Sequence, residues 1–131
     1  MTDTAAPPRT SALTWFEIAT TDFDRARRFC ETILETTLID RPFGTARIAV
    51  FPYDRETGTG GCLVQGPEWK PCSNGTIVYL DADGRLDRTL ERVPAAGGRV
   101  ALPKTALPEG LGFVAHILDS EGNRVGLHAM S

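Results

Sequence analysis

Two histidines, His116 and His128, and a carboxylate set between apolar neighbours, Glu17 between Phe16 and Ile18, are the side chains of this sequence best suited to chemistry. A histidine titrates near neutral pH and can accept, donate or coordinate, and a carboxylate among apolar residues is costly to bury unpartnered. Glu17 and His116 could therefore act as an acid–base pair for proton transfer, isomerisation or hydrolysis. With His128 they offer two imidazoles and a carboxylate, a ligand set suited to zinc or iron. Each also has a structural reading. A strand histidine often only satisfies neighbouring polar groups, His128 near the C-terminal end above all, and Glu17 could be paired with His116 or Arg47. The cysteines Cys30, Cys62 and Cys72 are odd in number, unevenly spaced and free of any CxxC pair, which points to free thiols.

These residues must be positioned by strands, and the pattern of the chain supplies them. Residues 1–11 are polar and proline-bearing and are expected to form a flexible tail ahead of one domain, 12–131. Leu13 to Thr20 is rich in aromatic and branched residues and reads as a strand that runs into a helix capped by Thr21-Asp22. On that helix Ala26, Phe29, Cys30, Ile33 and Leu34 share one face. Strands are expected at Thr37 to Asp40, Ala46 to Phe51 and Gly61 to Gln65, which makes the first half β-α-β-β-β. The pattern then repeats: a strand from Thr76 to Leu80, a helix capped by Asp83 that carries Leu86, Leu90 and Val93, and strands at Arg99 to Leu102, Phe113 to Leu118 and Arg124 to His128. Pro94 should end or kink the second helix early. A constant offset lays Trp15 on Thr76, Asp22 on Asp83 and Gln65 on Gly126, as an internal duplication would, with module one at 12–66 and module two at 75–129. Pairing through the turn Asp119 to Asn123 sets Leu118 opposite Arg124 and His116 opposite Gly126.

The duplicated pattern, with WFEIATTDFDRARRFCETIL in the first half and LDSEGNRVGLH at the end, resembles the vicinal-oxygen-chelate superfamily, which includes glyoxalase I, extradiol dioxygenases, and fosfomycin-resistance and bleomycin-binding proteins. The resemblance covers about residues 13–128. It implies an α+β fold in which two βαβββ modules form an eight-stranded, cup-shaped mixed sheet with the ligand inside, and a homodimer. Metal-dependent members place His or Glu at four cup-facing positions, which in this sequence fall on Trp15, Gln65, Thr76 and Gly126. An indole, a neutral amide, a hydroxyl and a missing side chain do not make a divalent-metal site. Glyoxalase and extradiol dioxygenase activity are accordingly not expected, and neither is any cofactor. By strand parity Glu17, His116 and His128 face the same cup, with Trp15 as its wall and Gln65 and Thr76 as hydrogen-bonding groups.

At 41% hydrophobic content the 131 residues fit one globular domain, and the net charge of -3 with scattered arginines offers no field for nucleic acid or anionic membrane. The sequence holds no run of about 18 apolar residues and no signal-peptide pattern, so a cytoplasmic location is expected. The leading expectation is a metal-free protein that binds a small apolar or aromatic molecule in the cup. A metal-free lyase or isomerase using Glu17 and His116 is the alternative, and a metal site relocated to His116, His128 and Glu17 is a third.

Overall fold

The computed structural model describes residues 11–131, and the expected tail lies outside the described residues except for Ser11. The elements are β1 (Trp15–Ala19), α1 (Phe23–Leu34), β2 (Ile39–Phe43), β3 (Ala46–Val50), β4 (Gly60–Gln65), β5 (Tyr79–Asp81), α2 (Leu86–Ala96), β6 (Arg99–Ala106), β7 (Phe113–Leu118) and β8 (Arg124–Ala129). This is βαβββ twice. The strands form two four-stranded mixed sheets, ordered β1-β4-β3-β2 and β5-β8-β7-β6, each with one parallel pair and otherwise antiparallel ladders. The eight strands of the cup are thus two hydrogen-bonded sheets, with β1 and β5 on the edges that meet at the seam and β2 and β6 on the outer edges.

Both helices lie on one side. Asp22 caps α1 by accepting the Arg25 N–H, and the buried stripe Phe23, Ala26, Phe29, Cys30, Ile33 and Leu34 faces the sheets. Burial holds the Cys30 thiol well above its usual pKa, so it is an inert core residue. In module two Leu86, Thr89 and Val93 play the same part. The two stripes share one core with Ile18, Leu63, Ile117, Val125 and Leu127, and each such fully buried side chain contributes roughly 1.5–3 kcal/mol. Glu35 ties the helices together through Arg88 at 2.6 Å and Arg92 at 3.3 Å.

The second module departs from the expected pattern in four places, one being β6, which runs on past Leu102 to Ala106. Its first strand begins at Tyr79, because Thr76 belongs to a loop whose Cys72 N–H is held by Asn123. Asp83 does not cap α2. Its carboxylate accepts the Met130 N–H instead, and the N-cap is Arg85, without a side-chain bond. Pro94 does not end α2, which runs on to Ala96 and stops at Gly97, where φ is 110°. The offset between modules is therefore not constant. Glu17 opposite Cys62 corresponds to Tyr79 opposite Gly126, and the N-cap Asp22 corresponds to Arg85, so the offset is 62 at the first strand, 63 at the helix start and 64 at the last strand.

Candidate functional site

The face of the sheets turned away from the helices is the cup. On β1 it carries Trp15 and Glu17, on β4 Cys62 and Val64, on β3 Ala46, Ile48 and Val50, and on β2 Ile39 and Phe43, as the pairings and the separate cluster around Ala46, Cys62 and Val64 show. In module two the core takes Leu80, Ala115, Ile117, Val125 and Leu127, so Tyr79, His116, Arg124, Gly126 and His128 point the other way. The β7–β8 register is Leu118 with Arg124 and His116 with Gly126.

Gln65 is not on this face. It pairs with Arg47, whose guanidinium stacks over Phe23 of α1 at 4.2 Å, and its Oε1 accepts from Thr20 Oγ1 at 3.4 Å. Strand parity explains the placement, since Gln65 shares its face with the core residue Leu63. Thr76 lies in the loop beside a cleft of about 180 Å³ between β1 and β8, which Glu17 and Arg124 also line. A larger hollow of about 530 Å³ runs along the other end of the seam, lined by Phe16, Tyr53 and Tyr79 among others.

Glu17 accepts a hydrogen bond from the Trp69 indole N–H at 3.0 Å, so its partner is neither His116 nor Arg47. Trp69 comes from the loop after β4 and packs on the Cys62 cluster. Trp15 meets Tyr53 edge to face at 6.3 Å. Cys62 is fully buried; desolvation and then the nearby Glu17 charge push its thiol up to about 12.

His116 stands in a chain of polar groups, with Tyr79 Oη 2.7 Å from its Nε2 and Arg124 Nη1 3.0 Å from its Nδ1. A guanidinium can only donate, so Nδ1 carries the lone pair and the ring is neutral. Burial, and then the Arg124 charge, hold its pKa below the ordinary histidine value, in the same sense. His128 is engaged elsewhere: its Nε2 donates to the Leu111 carbonyl at 2.8 Å and ties down the loop before β7. The structure therefore brings Tyr79, His116 and Arg124 together, and it bonds Glu17 to neither histidine.

Gly126 leaves no empty space in the cup. The Tyr79 ring covers it so closely that a Cβ at Gly126 would lie 2.3 Å from Tyr79 Cδ1. The central cup-facing positions are thus a carboxylate bonded to an indole, a buried thiol, a phenol bonded to His116 and a glycine. These do not fit a divalent metal. The relocated set His116, His128 and Glu17 is not assembled either, and no cluster of three His, Cys, Asp or Glu side chains occurs among the described residues.

Tyr79, Arg124 and Trp69 are the groups that sequence reasoning did not single out. Placing β5 at residues 79–81 in parity with β8 would have found Tyr79, and the predicted Leu118–Arg124 pairing already put Arg124 beside His116's strand.

The chain is similar to TnmS3, an antibiotic binding protein from Streptomyces sp. CB03234, at 24% identity and a TM-score of 0.65 over 92% of this chain and 97% of that one. It is similar to FosX, a genomically encoded fosfomycin resistance protein from Listeria monocytogenes, at 17% identity and a TM-score of 0.61 over 91% and 93% of the two chains. Glyoxalase I from Zea mays matches at 21% identity and a TM-score of 0.64 over 88% of this chain, which spans only 45% of the maize protein. No family model and no curated protein matches the chain. None of its described helices is long and apolar enough to cross a membrane. At such identities the likeness speaks for architecture: two βαβββ modules with their helices on one side and an open face on the other, the vicinal-oxygen-chelate fold.

Proposed function

We propose that the protein is a cytoplasmic, metal-independent holder of small apolar or aromatic molecules, in the manner of sequestering or resistance proteins. The observation that carries this reading is the exposed apolar surface of the cup face. Trp15 is 39% exposed, Ile39 46%, Phe43 53% and Tyr79 45%, although all four are large and lie on the side that the helices leave bare. Exposed apolar groups gathered on one face mark a site for a ligand or a partner. That one solved neighbour is an antibiotic binding protein supports the same reading. The expected homodimer would close the edge around Ile39 and Phe43 while leaving Trp15 and Tyr79 to the ligand.

The acid–base alternative asks His116 to be the base and Glu17 its partner. It has less support: the His116 lone pair is already held by Arg124, and Glu17 is bonded to Trp69.

Both tryptophans of the chain lie at the cup face, so ligand entry should be visible in their emission. Titration with substituted naphthalenes should quench tryptophan fluorescence saturably and raise the unfolding temperature, and Trp15→Ala should weaken binding at least several-fold. If no aromatic compound quenches up to its solubility limit, the reading is wrong. Any ligand found should also be incubated for days and recovered; chemical change would turn the case toward an enzyme.

A further inference from the structure

The polar chain on module two specifies more than an apolar cavity would, because its hydrogen bonds can run in only one direction. Arg124 donates to His116 Nδ1 at 3.0 Å, and a guanidinium has no lone pair with which to accept. The proton of the neutral imidazole must then sit on Nε2, 2.7 Å from Tyr79 Oη. That nitrogen donates, and the phenol oxygen accepts. The phenolic proton is left without a partner among the described residues, on a side chain that is 45% exposed at the cup face. The ring cannot easily turn to hide it: Tyr79 lies flat against Gly126, and only the absence of a Cβ there permits the approach.

We infer that the cup selects ligands bearing a hydrogen-bond acceptor, such as a ketone, ester or phenolate oxygen, which Tyr79 meets with its phenolic proton, and that His116 and Arg124 are positioning residues that fix that proton outward. The inference rests on the ligand-holding reading above and adds the polarity of the ligand. A ligand whose polar end is a donor meets a donor and leaves both unsatisfied, whereas an acceptor completes a run of bonds from guanidinium to imidazole to phenol to ligand. Arg124 adds positive charge at the far end of the run, so the phenol is a better donor than an isolated tyrosine and favours the more electron-rich oxygen.

Three probes of similar size test it: 2-acetylnaphthalene, which offers only an acceptor, 2-ethylnaphthalene, which offers neither group, and 2-naphthylamine, which offers a donor. The wild-type protein should bind the acetyl compound at least ten-fold more tightly than the ethyl one, with the amine no better than the ethyl. Tyr79→Phe keeps the ring over Gly126, so it should fold normally and bind the acetyl and ethyl compounds with nearly equal affinity, losing the ten-fold preference. Nitrogen-15 NMR of the histidine rings should show His116 protonated on Nε2 alone, and Arg124→Gln should release that fixed tautomer and reduce the preference. If none of the three compounds binds, the ligand-holding reading falls and the inference falls with it. If acetyl and ethyl compounds bind equally, or Tyr79→Phe keeps the preference, or His116 proves protonated on Nδ1, the inference is overturned while the holder reading stands.

Discussion

Glu121 should be the surface-turn residue on which the joining of the two modules most depends. Its Oε1 accepts the N–H groups of Thr21 and Asp22 at 2.8 and 2.7 Å, and Arg25 reaches both of its carboxylate oxygens, at 2.8 and 3.2 Å. The turn is built to present it: Asp119 Oδ1 accepts from the N–H of Glu121 and of Asn123, and Gly122 takes φ 88°. A residue of module two thus holds the backbone entering the helix of module one, at and just before its cap Asp22, where a negative charge also meets the positive end of the helix dipole. Burial pushes the Glu121 carboxyl up, but Arg25, the Asp22 and Thr21 N–H groups and Ser120 outweigh it and hold the pKa at about 2, from 4.5. At about 1.4 kcal/mol per pKa unit the shift amounts to about 3 kcal/mol, and screening at the half-exposed Arg25 reduces it to about 2 kcal/mol. The sign follows from a depressed carboxylate: the stabilisation is complete above pH 4.5 and is lost as pH falls toward 2. Glu121→Gln should therefore lower the stability at pH 7 by about 2 kcal/mol in urea denaturation, with the gap from wild type persisting at pH 4.5 and closing below pH 3. Exposed Glu68→Gln serves as the control and should change little. A loss under about 0.5 kcal/mol at pH 7, or a gap that stays constant to pH 2, would mean that the Glu121 carboxylate does not hold the modules together.

Three further outcomes follow from other residues. Thr89 Oγ1 is the one buried side-chain polar atom among the described residues without a hydrogen-bond partner, so Thr89→Val should raise stability by about 1 kcal/mol in the same assay; a loss would mean that the hydroxyl is bonded in solution. Gly126→Ala should force the Tyr79 ring off the strand and cost about 1–3 kcal/mol, and in a Tyr79→Ala background the same change should cost much less. Additive losses in the double variant would show that the ring does not lie where the structure puts it. Metal analysis of the purified protein should find transition metal well below one per chain, with unfolding unchanged by EDTA, and about one zinc per chain that vanishes in His116→Ala would contradict the donor chemistry described for the cup.

The architecture was legible in the sequence because hydrophobic period carries it. The stripe from Ala26 to Leu34, the alternation around His116 and the turn at Asp119 to Asn123 are local signals, and the β7–β8 register follows from that turn alone. The site was legible only in part, because its polar partners are joined across modules or by loops. Trp69 reaches Glu17 from a proline-bearing loop that shows no period. Glu121 works on a helix about a hundred residues away in the chain, a contact no window of sequence contains. Gln65 and Thr76 fall away from the cup face for different reasons: the true counterpart of Gly126 is Cys62, so Gln65 has the opposite strand parity, while Thr76 precedes β5 and lies in a loop.

One duplicated fold nonetheless carries two unlike walls, because matching positions hold different side chains. Glu17 and Tyr79 occupy matching positions, as do Cys62 and Gly126, yet the first pair joins a carboxylate to a buried thiol and the second joins a phenol to a bare backbone. Around the first pair the cup face is mostly aliphatic and aromatic, from Ile39 and Phe43 on the outer strand, with Arg41 between them, to Ile48 and Val50 beside them. Around the second it is the run Arg124, His116 and Tyr79. A ligand in contact with both walls must be two-ended, with hydrocarbon against module one and an acceptor oxygen against module two, and each wall alone would bind it weakly. Burying the hydrocarbon end contributes roughly 25 cal/mol per Å², while one well-oriented hydrogen bond contributes about 0.5–1.5 kcal/mol, so on the proposed ligand-holding reading affinity would be set chiefly by module one and selectivity by module two. Truncation of Trp15 should consequently weaken all ligands alike, whereas Tyr79→Phe should weaken only those that carry the oxygen.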